Sequence, residues 1–277
     1  MRMEIAMRIA GRAARWGFAA LLVLSAAGAG TRAGQAQADP VPEVAAAEFL
    51  HDDEGLDQID CELPRWSTDP GSLQAFFTTA RDCMDAAWTP LLARHGVPNV
   101  SPALIFPEKT PFASSCGEVT QDIIAAIYCA GDDSLYIPAS GLQTEVFGDH
   151  PGVYLALLAH EYGHHVQMLT GITSQVLALL PSGNWNTPEG LELSRRVELQ
   201  AQCFSGMFLG AEAGRGSITR ATLAEGRLGQ DGRGDGNRPG ELPDHGTSAH
   251  VFSWWERGTN NKIADCNTFS APNADVT

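Results

Sequence analysis

The chain has 277 residues, of which 44% are apolar, and this is enough for one large domain or two small ones with a sizeable core. Its 33 acidic and 18 basic residues give a formal net charge of −15, which argues against a nucleic-acid-binding protein because such proteins need a basic surface. No long apolar run follows the N-terminal segment, so the body of the chain is not expected to be a membrane bundle.

Residues 1–38 have the pattern of a secretory signal peptide. A basic stretch, Arg2–Arg15, precedes the short apolar run Trp16–Gly30, and Ala36–Ala38 forms a cleavage sequence before Asp39. The alternative is an uncleaved membrane anchor, but the apolar run is short for a span of about 20 residues. We therefore expect the protein to be secreted, either to the extracellular medium or to the cell envelope.

The segment that follows is predicted to contain an arm and one long helix. Residues 39–64 form the arm, which is acidic and polar up to residue 60 and is expected to be loosely held. Ser72 is a candidate N-cap for a helix from Leu73 to Trp88, because apolar residues recur there at helical spacing, and Pro90 is expected to end it. The main domain is taken as residues 65–270, with a C-terminal tail at 271–277.

Two short strands and three further helices are expected after this helix. Ala103–Phe106, which lies between prolines, and Ser134–Ile137, which Pro138 ends, are the strands. The helices follow in chain order: the first runs from Pro151 to Leu169 with Gly171 at its C-terminal end, the second from Pro188 to about Gly210, and the third from Ser248 to Arg257. Residues 226–246, rich in Gly, Pro and Asp, are predicted to be a long loop.

The helix at 151–169 carries an H-E-x-x-H motif at His160–His164. Residues four apart lie on the same face of a helix, so the imidazoles of His160 and His164 can reach one metal ion. Glu161 can then approach the attacking water without being a ligand, and Tyr162 and His165 point elsewhere and are expected to pack or hydrogen-bond locally. The alternative is a chance match, which the helical context makes remote. The motif therefore predicts a zinc site.

A hydrolytic zinc site needs a third protein ligand and one open position. No histidine follows at the spacing of the three-histidine form of the motif, since position 170 is Thr. The candidates in the rest of the chain are the other histidines and a carboxylate on the next long helix: His150, His165, His245, His250, Glu198 and Glu192. Glu198 is the preferred candidate, with Glu192 as its rival.

Several separated blocks of the chain resemble the neutral zinc metallopeptidase family of bacteria. They occur in the order and spacing of that family and cover roughly residues 65–270. The blocks are Cys116–Gly117, Tyr128–Cys129 with Asp132, Leu135–Ile137, His160–Gln167, Glu198–Ala201 with Cys203, His245–Ser248, Trp254 with Gly258, and Cys266–Phe269.

The resemblance implies a zincin-like α+β domain, mainly helical with a small sheet, in which zinc is held by His160, His164 and Glu198. Two positions depart from the family pattern: Gln202 replaces an Asp that supports a ligating histidine, and Val251 stands where an Arg is expected. Outer-shell changes of this kind typically cost about 10–100-fold in affinity or activity. The departures bear on catalytic strength more than on metal binding.

The expected function is a secreted zinc peptidase acting on a peptide or protein substrate. Glu161 is the general base that takes a proton from water and passes it to the leaving amine. His245 is our candidate for stabilising the oxyanion, the alternative being a histidine that anchors the long loop. The strand at Leu135–Ile137 is a candidate to bind the substrate backbone by strand addition. The competing hypothesis is a zinc-bound but weak or inactive secreted binding module.

Six cysteines in the mature part, an even number, imply disulfides in an exported chain. Fifteen pairings are formally open, and some cysteines could instead be free and buried. We expect Cys116–Cys129 to close a short loop before the Ser134 strand and Cys203–Cys266 to pin the C-terminal segment to the second long helix. Cys61–Cys83 is the remaining pair.

Overall fold

The computed structural model describes residues 41–120, 125–230, 232–235 and 242–277. The predicted signal peptide therefore lies outside the described residues. Within the described part, no helix is both long and apolar enough to cross a membrane.

Eight α-helices account for nearly half of the described chain. They are α1 (Pro42–Ala45), α2 (Pro70–Arg94), α3 (Thr144–Phe147), α4 (Pro151–Leu169), α5 (Ile172–Leu179), α6 (Pro188–Glu212), α7 (Arg220–Leu228) and α8 (Ser248–Gly258). Helix α4 packs against α2, α6 and α7, and α6 also packs against α8. With its small sheets, the domain has the zincin-like α+β architecture that the sequence predicted.

Helix α4 is the central helix of this arrangement. Pro151 occupies its first turn, and Gly171 follows its end with a φ of 75°, a left-handed conformation that glycine adopts without strain. Every residue from Gly152 to Gln167 is buried. A helix that is buried on all sides is packed against neighbouring elements around its whole circumference. The packing therefore fixes the position of the H-E-x-x-H motif in α4.

Helix α6 lies between α4 and α8. Its N-cap is Thr187, whose hydroxyl accepts from the Gly190 N–H. A Cβ on Gly206 would stand only 2.0 Å from the carbonyl oxygen of Trp255, so α6 and α8 approach as closely as glycine permits. The two helices thereby form a packed layer on one side of α4.

The sequence prediction for α2 was wrong at both ends. Its N-cap is Asp69, which accepts from the Ser72 N–H, so the helix begins at Pro70 rather than after Ser72. It also continues through Pro90 to Arg94. Pro90 has no backbone N–H, so one hydrogen bond to the preceding turn is missing. The helix nevertheless continues because Leu91 and Leu92 are buried in the core.

Five short strands form two small sheets. Strands β1 (Ala103–Ile105), β5 (Ser134–Tyr136) and β4 (Ile127–Cys129) lie side by side in that order, with β1 parallel and β4 antiparallel to β5. Strands β2 (Phe112–Ser114) and β3 (Gly117–Val119) form a separate antiparallel hairpin. Because β5 is central and paired on both edges, the proposed addition of a substrate strand to Leu135–Ile137 is wrong.

The prediction of a loosely held N-terminal arm is also wrong for the residues described. Val44 and Leu50 are fully buried, and Phe49 and Leu56 are nearly so. The backbone is tied to the C-terminal segment by the Val41 N–H, which donates to the carbonyl of Phe269. The segment is therefore anchored by apolar residues that belong to the core or pack against it.

All three predicted disulfides are present: Cys61–Cys83, Cys116–Cys129 and Cys203–Cys266. The last one fastens the C-terminal segment to α6. Arg196, which is fully buried on α6, adds hydrogen bonds to the carbonyls of Thr268 and Ala271. The predicted tail at 271–277 is therefore packed at Ala271 and Val276.

The predicted long loop starts later than expected because α7 extends to Leu228. Residues 231 and 236–241 of the loop lie outside the described part. The described portions 232–235 and 242–246 meet where the Asp235 N–H donates to the carbonyl of Gly246, just before α8.

Candidate metal centre

Helices α4 and α6 bring His160, His164 and Glu198 together. The Nε2 atoms of the two histidines lie 3.0 Å apart, and Glu198 Oε2 is 3.2 Å from His160 Nε2 and 3.6 Å from His164 Nε2. All three side chains are buried. The i,i+4 prediction and the choice of Glu198 as their companion therefore agree with the placement of these groups.

The donor set fits zinc. Zinc–nitrogen and zinc–oxygen bonds of about 2.0–2.1 Å in a tetrahedral site place neighbouring ligand atoms about 3.3 Å apart. The observed separations of 3.0, 3.2 and 3.6 Å bracket that value. Glu198 Oε2 is buried and forms no hydrogen bond with any described residue, as expected of an atom that has a metal to bind.

The charge states of His160 and Glu198 also suit a metal. Burial lowers the pKa of His160 to about 3, which makes it a neutral imidazole with a free lone pair at pH 7. Burial opposes ionisation of Glu198, but the neighbouring His245 and His164 imidazoles outweigh it and hold the pKa of Glu198 well below its usual range. Glu198 is therefore a carboxylate at every physiological pH.

A chain of glutamines orients His164. Gln167 Oε1 lies 2.9 Å from His164 Nδ1, and the Gln167 amide donates to the Val197 carbonyl and to Gln200 Oε1. Gln200 in turn donates to the carbonyl of Cys266. These contacts fix which nitrogen of His164 faces Glu198.

Gln202, at the position where the family resemblance places an Asp, makes no comparable contact through its oxygen. Gln202 Oε1 and His160 Nδ1 are both buried without a hydrogen-bond partner among the described residues. The supporting role thus falls on Gln167. This residue was included in the block His160–Gln167 from the sequence but was assigned no role. The signal available was its i+3 position after His164 on the same helix.

Glu161 lies beside the three candidate ligands and is 2% exposed. Its Oε2 atom accepts a 2.8 Å hydrogen bond from the backbone N–H of Tyr128 on β4. Burial raises the pKa of Glu161 to about 7, although the nearby His164 and the Tyr128 N–H act in the opposite direction. A carboxylate with a pKa near neutrality is suited to accept and return a proton.

His245 approaches the same centre from the loop before α8. Its Nε2 atom is 3.7 Å from Glu198 Oε2, and its Nδ1 atom is 2.6 Å from Asp244 Oδ1. The Asp235 carboxylate accepts the backbone N–H groups of His245 and Gly246. Burial lowers the pKa of His245, but the carboxylates of Glu198, Asp244 and Asp235 outweigh this effect. The pKa of His245 is therefore raised to about 10.

Besides His245, a buried arginine interacts with Glu161, and it was not anticipated from the sequence. Arg233, in the same loop, is 6% exposed, and burial lowers the pKa of its guanidinium to about 10 while the charge of Glu161 counteracts the shift. Asp235 and Asp244 were likewise missed, because their relation to His245 depends on how the loop closes.

The other sequence candidates lie away from the centre. His165 is fully buried and bonds to Asp133, and the hydroxyl of Tyr162 donates to Asp85, so both have the local roles expected of them. Glu192 pairs with Arg196 on α6. His150 is exposed beside Glu225. His250, on α8, belongs neither to the His160–His164–Glu198 group nor to the Asp235–Asp244–His245 group, the two sets of described side chains close enough together to hold a metal ion.

Comparison with known families agrees with this geometry. Residues 71–269, well over half of the chain, match the family described as "putative neutral zinc metallopeptidase". The chain belongs to this family. The family's name implies zinc and a peptidase, in keeping with the donor set of His160, His164 and Glu198.

Curated relatives are similar over part of the chain. Uncharacterized protein YpfJ of Escherichia coli K12 is 33% identical over 168 residues, which cover 56% of this chain and 58% of the relative. Uncharacterized protein Rv2575 of Mycobacterium tuberculosis H37Rv is 30% identical over 129 residues, covering 45% of this chain and 40% of the relative. The chain thus spans about half the length of the curated relatives it matches. No solved structure matches it significantly.

Proposed function

We propose that the protein is an exported zinc-dependent peptidase that hydrolyses peptide bonds with Glu161 as general base. The observation that carries this proposal is a nearly buried carboxylate, not needed as a ligand, placed beside His160, His164 and Glu198. A site that only binds zinc has no use for such a group. Family membership supports the same reaction class.

Each residue then has a defined task. His160, His164 and Glu198 hold zinc, which when bound acts as a Lewis acid and lowers the pKa of water toward about 7. Glu161 takes the proton of the attacking water and delivers it to the leaving amine. The Tyr128 N–H holds one oxygen of Glu161, which leaves the other free for this exchange.

His245 is proposed to stabilise the carbonyl oxygen as negative charge develops on it. Asp244 holds Nδ1, so Nε2 faces the centre, and the raised pKa keeps the ring cationic at neutral pH. Removal of a comparable donor in other hydrolases costs about 10²–10³-fold in kcat.

Strand β4, rather than β5, is the proposed docking edge for a peptide substrate. Among the described strands β4 pairs only with β5, and the Tyr128 N–H points away from β5 toward Glu161. In an antiparallel strand the N–H and C=O of one residue point to the same side. A peptide added at this edge would therefore pair with the Tyr128 C=O rather than with its N–H, which Glu161 occupies, and would run past the catalytic groups.

Export is proposed from the signal-like pattern of residues 1–38 and is supported by the three disulfides, which persist in oxidising compartments.

The test is metal analysis of the purified protein together with digestion of casein and a peptide library. We expect about one zinc per chain, hydrolysis that a chelator abolishes, and recovery when zinc is restored. A protein that holds one zinc but cleaves no peptide would instead be the binding module considered above. Absence of zinc from a folded, zinc-supplied protein would overturn both functions.

A further inference from the structure

The carboxylate of Asp133 joins the β4–β5 hairpin to α4. Its Oδ1 atom accepts a 2.8 Å hydrogen bond from the Tyr128 hydroxyl and lies 2.8 Å from His165 Nδ1. The Tyr128 and His165 rings meet edge to face, with centroids 5.6 Å apart. One carboxylate thus connects the strand that carries Tyr128 with the helix that carries the metal ligands.

The position of Asp133 is itself well fixed. It occupies the turn between β4 and β5 with a φ of 50°, a left-handed conformation that Asp and Asn tolerate better than most residues. Its backbone carbonyl accepts from the Ala103 N–H at the start of β1. His165 is fully buried and follows His164 directly, so this anchor on α4 cannot move without the metal site.

The contact that depends on this arrangement is the hydrogen bond from the Tyr128 N–H to Glu161. Both residues are almost completely buried, at 5% and 2% exposure, so water does not readily replace the bond if β4 shifts. A catalytic group misplaced by about 1 Å can lose about 10²-fold in rate. The placement of Glu161 is therefore sensitive to what holds β4.

We propose that Tyr128 and Asp133 are positioning residues for the general base. The Tyr128 hydroxyl, held by Asp133 and His165, keeps β4 at the distance from α4 at which the Tyr128 N–H binds Glu161 Oε2. The proposal deepens the peptidase function proposed above and rests on it for its kinetic consequences. The geometric part concerns only this chain's own residues.

The same hairpin contains a matched control. Tyr136 on β5 is also 5% exposed, and its hydroxyl donates to the turn carboxylate of Asp132 at 2.6 Å. The Tyr128–Asp133 and Tyr136–Asp132 pairs thus share their chemistry, their place in the hairpin and the burial of the tyrosine, while Asp132 is exposed and Asp133 half-buried. Of the two pairs, the first also contacts α4 through His165 and contains the residue, Tyr128, whose own N–H binds Glu161.

The kinetic experiment compares Tyr128→Phe with Tyr136→Phe. Tyr128→Phe should keep its zinc and its KM while kcat falls about 10–100-fold, whereas Tyr136→Phe should stay within about twofold of wild type. Asp133→Gly, which removes the acceptor and tolerates the left-handed turn, should follow Tyr128→Phe. An unchanged kcat in Tyr128→Phe, or an equal loss in both tyrosine variants, would overturn the proposal.

A second readout is independent of catalysis. In the zinc-free full-length protein, hydrogen exchange of the residue 128 amide, followed by NMR, should be faster in Tyr128→Phe and Asp133→Gly than in Tyr136→Phe. Equal exchange in all three variants would overturn the proposal. If the wild-type protein cleaves no peptide, the peptidase function fails, while this exchange measurement still decides whether Tyr128 and Asp133 hold Glu161.

Discussion

Gly163 of α4 lies directly against Ala201 of α6. A Cβ on Gly163 would stand 3.1 Å from both the Cα and the carbonyl oxygen of Ala201, closer than side-chain atoms normally approach a backbone. Gly163 lies between the two histidines of the motif, and Ala201 is three residues after Glu198. The contact therefore sets the separation between the histidine pair and the carboxylate.

A larger residue at position 163 should separate the ligands. Gly163→Val forces α4 and α6 apart. We therefore expect the free energy of unfolding to fall by about 1–3 kcal/mol and zinc binding to weaken. Gly71→Ala is the control, since its Cβ would meet only Asp69 Oδ1 at 3.7 Å. Unchanged zinc affinity in a folded Gly163→Val protein would show that this contact does not set the site.

Loss of the glutamine that orients His164 should weaken the metal site. Gln167→Leu removes the partner of His164 Nδ1, and zinc affinity should fall about 10–100-fold in competition with a chelator. Gln202→Leu is the comparison, because Gln202 Oε1 has no hydrogen-bond partner among the described residues. If Gln202→Leu lost more affinity than Gln167→Leu, the assignment of the supporting residue would be reversed.

The identity of the third zinc ligand can be tested by comparing variants of two glutamates on α6. Glu198→Gln should reduce zinc content sharply, because a neutral amide is a poor zinc ligand and the charge that complements the ion is lost. Glu192→Gln should keep its zinc, since Glu192 is engaged with Arg196. Metal analysis of both variants after dialysis distinguishes them; retention of zinc by Glu198→Gln would exclude Glu198 as a ligand.

Glu212 should make stability depend on pH. Its side chain is fully buried, Oε2 accepts the Ile59 N–H, and burial raises its pKa to about 7. A carboxyl group with a raised pKa in the folded state stabilises the fold at low pH, and this contribution is lost as pH rises from about 4.5 through 7.

Glu212→Gln should accordingly be more stable than wild type at pH 8, by about 1 kcal/mol, and similar to it at pH 4. Denaturant unfolding at both pH values measures the difference. Surface variant Glu189→Gln serves as the control for loss of one negative charge. A Glu212→Gln protein with the same pH profile as wild type would contradict the assignment.

The long helices of the site could be predicted because local signals mark them. Pro151 and Gly171 bracket α4, and Thr187 with Pro188 begins α6, so the H-E-x-x-H spacing could be placed on a helix from the sequence. The choice of Glu198 depended on the family resemblance as well, since Glu192 on the same helix was formally possible.

The parts that sequence reasoning missed depend on contacts between distant segments. Strand β4 has only three residues, and it is an edge strand because, among the described strands, it pairs with β5 alone. Gln167 supports His164 only because Val197 and Gln200 on α6 receive its amide. The burial of Val44 and Leu50 likewise depends on a core built from the rest of the chain.

The central claim is that Glu161 performs the chemistry while other residues hold zinc. The most direct measurement compares zinc content and peptide hydrolysis in wild type and Glu161→Gln. We predict about one zinc per chain in both proteins and a loss of hydrolysis of at least about 10²–10⁴-fold in the variant, because an amide cannot accept the proton of water. Undiminished hydrolysis by the zinc-loaded variant would contradict this account.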